Sequence, residues 1–457
     1  MPEKPKTLIY DFTEGPIFLK LIRFAIPFMM SNAMQVLYSL VDMVIVGRFV
    51  GSHGLSAVSL SSQTFVFLTM ICNGFCTGGQ IYISQLIGKG DRNKLNNTIG
   101  TLFSVILGMG VLVSVLSFCF SNPLLRLLNT PEESFDGALS YMLVCSVGLV
   151  FCYAYNMFSA VLRGMGDSRH PFIFIVIASL INIILDLLFV VVFHWGVAGA
   201  ALATVIGQAF SGLYALFFLY RNRAAFGFDF RRSSFKPSSE IAKGLVKLGV
   251  PMAVRFGAIN ISMLFVLSLV ARLGHQSLAT FGVGIKLDDT SNKIAQGIMM
   301  ALAGVVGQNY GARKFDRVKR AVYYTWATAV GIYVGYTLLL LCKTELLFGI
   351  FTDDQEVLRL SHVFASAIVW HFPALLIMKG TNGFINGIGN AWLGLIFAVL
   401  DGFVLRVVFT WLFGIYFESG LYGFVLGYGL AAYGMAIPML IYFFMGTWKR
   451  RKLVMED

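Results

Sequence analysis

Residues 171–193 read PFIFIVIASLINIILDLLFVVVF. The stretch is long enough to cross a hydrocarbon layer of about 30 Å as a helix rising 1.5 Å per residue. Yet it carries Asn182 and Asp186. Four residues apart, the two stand one above the other on the same helix face. A carboxylate at the centre of a spanning helix costs roughly 2.5–3.5 kcal/mol on insertion scales. Such a residue persists beside a cation, a proton or a wet cavity, so this face is a candidate functional site. The rest of the chain is read by asking what the face looks at.

The surrounding composition is that of an all-α integral membrane protein. Of 457 residues, 57% are hydrophobic and 13% charged, and the mean hydropathy is +0.76. Soluble domains run about 45–50% apolar and about 25% charged, so a soluble globular fold is excluded. Twelve apolar stretches are each long enough to span: 17–47, 56–85, 97–120, 137–163, 171–193, 197–220, 241–271, 278–309, 318–342, 357–386, 391–416 and 420–447. The opening MPEKPKTLIYDFTEGP has no short apolar core with a cleavage site, so no removable signal peptide is expected.

A net charge of +12 invites a nucleic-acid reading, but its distribution opposes it. Most Lys and Arg fall in the two tails and the even-numbered loops. The odd-numbered loops hold Arg48, Arg126, Arg272, Lys343 and Arg359. By the positive-inside rule both termini and the central loop face the cytoplasm. The basic balance thus reports topology and contact with anionic lipid, with no nucleic-acid partner. The six cysteines (72, 76, 119, 145, 152 and 342) sit in apolar segments at spacings matching no zinc pattern, and read as small core residues.

Taken in order, span 1 contains Pro27, which breaks the hydrogen-bond ladder and predicts a bend. Further along lie Tyr38 and, one turn later on the same face, a second buried carboxylate, Asp42. Span 6 opens GVAGAALATVIGQ, whose Gly199, Ala203 and Gly207 make a small-residue face for close helix packing. The polar basic stretch after Arg221 reads as a cytoplasmic linker.

Then the sequence begins again. FAIP at 24–27 matches LGVP at 248–251, an offset of 224. SQLIGKGD at 84–91 matches GQNYGARK at 307–314, and RGMGD at 163–167 matches NGIGN at 386–390, both at 223. GVAG at 196–199 matches GLYG at 420–423. The chain is a tandem duplication of six helices. Each half has an even helix count, so the repeats run parallel, as two lobes around a central cleft. The expected organisation is a tail 1–16, an N-terminal lobe 17–222, a linker 223–238, a C-terminal lobe 239–449 and a tail 450–457. Two lobes about a cleft suit alternating access by a transporter, with no enzymatic chemistry.

With these landmarks in view, the chain resembles the multidrug and toxic compound extrusion transporters over essentially its whole length. The resemblance rests on VDMVIVGR, LRGMGD, the NIILD pair followed by GVAGAALAT, and VGQNYGA. It implies secondary active efflux of small organic molecules, driven by inward proton or sodium movement, from a bacterial inner membrane. In the prokaryotic branch with its cation site in the N-terminal lobe, the matching positions here are Asp42, Asn182, Asp186, Thr204 and Asn156. Tyr38 matches a cavity-lining tyrosine of that branch.

Depth can be checked independently. Asp42 lies six residues before Arg48, roughly 9 Å from the outer end, and Asp186 lies eight before His194, roughly 12 Å in. Thr204 is about as deep, counted from Gly196, whereas Asn156 falls nearer the cytoplasmic end. Carboxylates, an amide oxygen and a hydroxyl are all hard oxygen ligands, which suit sodium or a shared proton. No other metal and no organic cofactor is implied. Neutralising the pair would let the first helix bend at Pro27.

The C-terminal half differs. Its inner charges include Arg255, Lys379, Asp401 and Arg406, candidates for the wall of a substrate cavity, together with Lys286, Asp288, Asp289 and Lys293. Asp289 and Lys293, four apart, are placed to pair. His194, His275 and His371 read as isolated residues without chemistry. The net basic character keeps an alternative open: a flippase or exporter of an anionic or lipid-linked substrate. An intramembrane transferase is disfavoured because the acids sit mid-helix and the loops are short. A channel is disfavoured because the repeat matches glycines and leaves charges unmatched. Twelve helices about an internal cleft suffice for function as a monomer, with a small-molecule substrate and the lipid bilayer as partners.

Overall fold

A computed structural model describes residues 9–456. Half of the expected tail 1–16 therefore lies outside the described residues. Among the described residues there is no strand, and twelve long helical segments follow in order. They are α1 (Ile17–Phe49), α2 (Gly51–Lys89), α3 (Arg92–Leu127), α4 (Glu132–Gly164), α5 (Arg169–Val192) and α6 (Gly196–Arg221). After the linker come α7 (Ser239–Leu273), α8 (His275–Gly311), α9 (Phe315–Cys342), α10, α11 (Ala391–Tyr416) and α12 (Gly420–Met445). Helix α10 is a bent pair, Gln355–Ile368 and His371–Gly387, meeting at 51°. Pro373 in the first turn of its second half has no N–H to continue the ladder across that break. Ten of these helices are apolar and long enough to cross a membrane, and the bent pair makes eleven. The remaining helix, α8, is long enough but interrupts its apolar face with Lys286, Asp288, Asp289 and Lys293.

The chain divides into two compact units. Unit 1 holds residues 9–12 and 30–253, and unit 2 holds residues 13–29 and 254–456. The division departs from the sequence-derived lobes at two equivalent places, since the head of α1 counts with unit 2 and the head of α7 with unit 1. Glycines permit this. In unit 1, a Cβ on Gly74 would stand 2.8 Å from the Gly249 carbonyl oxygen of α7. In unit 2, a Cβ on Gly297 would stand 2.6 Å from the Met29 nitrogen of α1. Both borders fall just past a proline, Pro27 in one helix and Pro251 in the other, and each proline lies inside a continuous helix.

Within unit 1 the linker is folded. It forms a helical turn, Arg223–Phe226, and a 3-10 turn, Arg232–Phe235, laid along α3. Ser104 Oγ donates to the Phe235 carbonyl, and the Ser238 N–H donates to Thr101 Oγ1 at 3.1 Å. A Cβ on Gly100 would lie 1.7 Å from the Ser234 carbonyl oxygen, so this approach requires glycine. Within unit 2 the last residues are anchored too. Trp448 is fully buried, and the Tyr310 hydroxyl at the end of α8 lies 2.9 and 2.7 Å from the carbonyl oxygens of Trp448 and Arg451, which share its single proton.

The repeat is visible in the backbone. Gly166 and Gly389 hold the same left-handed position, φ 89° and 78°, in the turns after α4 and α10. Neither turn follows a strand, so both are tight helix-to-helix turns. The offset is 223 at those turns and 224 by Gly196 and Gly420. The extra residue falls in α11, where a π turn, Leu400–Leu405, has no counterpart in α5. An i→i+5 turn absorbs one added residue without breaking the helix. The other two π turns, Leu187–Val192 and Leu412–Tyr416, close α5 and α11 alike.

Candidate functional site

The expected small-residue face of α6 is what positions Asn182. Gly199, Ala203 and Gly207 are all buried. A Cβ on Gly207 would meet the Ala178 carbonyl oxygen at 3.0 Å and Asn182 Cβ at 3.3 Å. With α6 drawn in so closely, Asn182 Nδ2 donates to Thr204 Oγ1 at 3.3 Å, leaving the amide oxygen free of any donor. Asp186, one turn on, is fully buried. Its carboxyl group and that of Asp42 on α1 lie within side-chain hydrogen-bonding range of each other.

Among the described residues, both oxygens of Asp186, Asp42 Oδ1 and Asn182 Oδ1 are buried without a hydrogen-bond donor. Two carboxylates cannot satisfy one another, because each only accepts. Buried polar groups are nearly always paired, and an unpaired one calls for an unseen proton, ion or water. The arrangement can therefore hold a proton between the carboxyls, or a small monovalent cation among the same oxygens. No cluster of three or more His, Cys, Asp or Glu occurs among the described residues.

The remaining sequence-derived candidates of unit 1 divide. Tyr38 is partly buried and within electrostatic range of both Asp42 and Asp186. Asn156 turns its amide nitrogen back to its own helix, to the Cys152 carbonyl at 2.9 Å and Cys152 Sγ at 3.5 Å. Sequence reasoning missed Tyr141 and Cys145 of α4, which stand near Asp42. Neither shows any spacing signal, since their relation to α1 is made only by packing.

In unit 2 the four candidate charges all have partners inside the unit. Arg406 reaches Asp401 at 3.0 Å, a pair of residues five apart on the π turn, and its guanidinium lies over the Tyr428 ring at 4.8 Å. Arg255 donates to Asn382 Oδ1 at 2.9 Å, and Lys379 donates to Asn292 Oδ1. The repeat gives these residues meaning. At the same offset as Gly196 and Gly420, Asn182 corresponds to Arg406, Asp186 to Thr410 and Thr204 to Tyr428. Where unit 1 presents bare oxygens, unit 2 supplies its own tethered cation. His371, read from sequence as isolated, is not: it is 3% exposed, and its Nδ1 lies 3.4 Å from Asp288 Oδ2.

Comparison with known proteins agrees with this architecture. The MatE family model matches residues 27–188 and again 251–412, two copies at the repeat spacing. The probable multidrug resistance protein YpnP of Bacillus subtilis (strain 168) is 28% identical over 98% of this chain and 99% of its own length. The probable multidrug resistance protein NorM of Thermotoga maritima is 25% identical, covering 96% of this chain and 94% of its own. In fold, the chain is similar to an outward-facing multidrug resistance MATE family transporter of the MOP superfamily. The TM-score is 0.92 and the identity 23%, over 98% of this chain and 100% of that one. A duplicated six-helix chain spanning the membrane, matched in both halves by one family model, belongs to the MatE family of transporters.

Proposed function

We propose that this protein is a cation-coupled antiporter that exports small organic molecules by alternating access. The observation that carries the reading is the facing pair Asp42 and Asp186, whose buried oxygens have no donor among the described residues. A proton or sodium ion entering that pair neutralises charge that is otherwise expensive in a spanning helix. Asn182 and Thr204 contribute oxygens to the same ion, Tyr38 lines its approach, and Pro27 provides the bend through which α1 responds. Relatives named for multidrug resistance and multidrug export support organic molecules as the cargo. The protein works as a multi-pass monomer of a bacterial inner membrane, with both termini cytoplasmic, and needs no cofactor beyond its coupling ion.

The test is uptake of fluorescent organic cations into proteoliposomes under an imposed pH gradient or an imposed sodium gradient, beside Asp186→Asn. Transport that follows one gradient and falls by about fivefold or more in the variant supports coupled export and names the ion. No movement under either gradient overturns it. The alternative, an anionic or lipid-linked substrate held by Arg255, Lys379 and Arg406 beside Asp401, is the next arm of the same assay.

A further inference from the structure

Unit 2 contains a second concentration of buried polar groups without partners, on helices that the coupling site does not use. Asp288 of α8 is 2% exposed, and neither of its oxygens accepts a hydrogen bond from the described residues. His371, the first residue after the break in α10, points Nδ1 at it from 3.4 Å without the alignment of a hydrogen bond. The hydroxyls of Tyr333 and Tyr336 on α9 are within electrostatic range of Asp288; that of Tyr336 is also within side-chain hydrogen-bonding range of Ser291, and that of Tyr333 is buried without a partner among the described residues. Polar groups of α9 and α10 thus gather about one carboxylate of α8.

The neighbouring charges do not supply what Asp288 lacks. Asp401 on α11 is taken by Arg406. Asp289 on α8 is one turn from Lys293. Lys379 on α10 and Arg406 on α11 are within electrostatic range of Asp288, but Lys379 donates its hydrogen bond to Asn292 and Arg406 to Asp401. From α12, Tyr428 turns its ring to both Arg406 and His371, 5.3 Å from the latter. The His371 position is also built. Gly429 lies against it, where an added Cβ would be 3.2 Å from His371 Cβ. In unit 1 the matching pair reverses the sizes, with Gly148 against Val205. Gly429 therefore lets α12 approach the α10 backbone closely at His371.

We propose that Asp288 and His371 form a second proton-binding site, in unit 2, separate from the Asp42–Asp186 pair. A proton from water adds to the imidazole or the carboxyl, with no other bond made or broken. The pair changes between a charge-assisted hydrogen bond and an unpaired contact. Because His371 opens the second half of α10, that change acts at the 51° break. Its place in the transport cycle rests on the proposed antiport, but its titration does not.

The experiment uses full-length protein in detergent with nitrogen-15-labelled histidine, the His371 ring signals being assigned by their loss in His371→Gln. In the wild type the ring changes protonation state between pH 5 and 9. In Asp288→Asn its midpoint moves by about one unit or more, as loss of an adjacent charge demands, and in Asp186→Asn it stays in place. A His371 signal fixed in one state across that range, or a midpoint indifferent to Asp288→Asn, overturns the proposal. In proteoliposomes, Asp288→Asn changes the protons moved per substrate, and an unchanged ratio removes the site from coupling. Should no transport occur at all, the antiport reading fails while the spectroscopic arm still decides the site.

Discussion

Asp186 is the residue on which the proposed coupling turns: it is fully buried, and among the described residues both its oxygens lack donors. Energetic coupling between two sites is typically about 1–3 kcal/mol, roughly 5–150-fold in affinity. Asp186→Asn keeps the size and removes the charge, so gradient-driven export should fall by about that factor while the protein stays folded. Proteoliposome uptake with and without the gradient measures this. Uptake that keeps its gradient dependence in the variant would clear Asp186 of the role. Thr204→Ala should be milder, because it removes one hydroxyl that Asn182 holds at 3.3 Å. Asp42, Asn182, Asp186 and Thr204 were all legible as candidates, since polar residues in an apolar span stand out by themselves. His371 was not. Its partner Asp288 lies on another helix, and no spacing along the chain connects them.

At the scale of elements, close approach does the positioning. Gly207→Val places a branched side chain where a Cβ alone already meets Ala178 and Asn182. Overpacking of this kind costs about 1–3 kcal/mol, so thermal unfolding in detergent should shift down and ion coupling should weaken with it. An unshifted transition would mean that α5 and α6 separate without penalty. The linker gives a second case. Gly100→Val removes its seat on α3, so trypsin should cut at Arg231 or Arg232 much faster than in the wild type. Acid should do the same. A hydrogen bond from the Ser234 hydroxyl, then one from the Arg231 backbone N–H, holds the exposed Asp229 carboxyl below its ordinary range. Such a group contributes fully above the ordinary carboxylate range and loses its contribution as the pH falls through the lowered value. Cleavage that is unaffected by acid would show that Asp229 does not hold the linker.

For the whole molecule the measurable consequence is topology. From the asymmetry of Lys and Arg, residue 233 of the linker and residue 128 after α3 are expected on opposite sides of the membrane. In a cysteine-free background, single cysteines at Ser233 and Leu128 should be labelled by an impermeant reagent from the cytoplasmic and the outer side respectively. Labelling of both from one side would reject the orientation.

The amino-acid sequence by itself determined the class of fold, the span order and the duplication. Length, hydropathy and repeated Gly–Pro landmarks are local properties that survive without any knowledge of packing. It also exposed the carboxylates of α1 and α5, because a charge in an apolar helix is conspicuous wherever that helix goes. Only the tertiary structure decided which polar groups meet. It set Asp42 against Asp186, and it neutralised Arg406 with Asp401 across a π turn that an added residue created. It also brought His371 to Asp288 and exchanged the heads of α1 and α7 between the two units. Those outcomes depend on which helix faces close on one another. That is set by the small residues at each crossing acting together, and no single segment carries it.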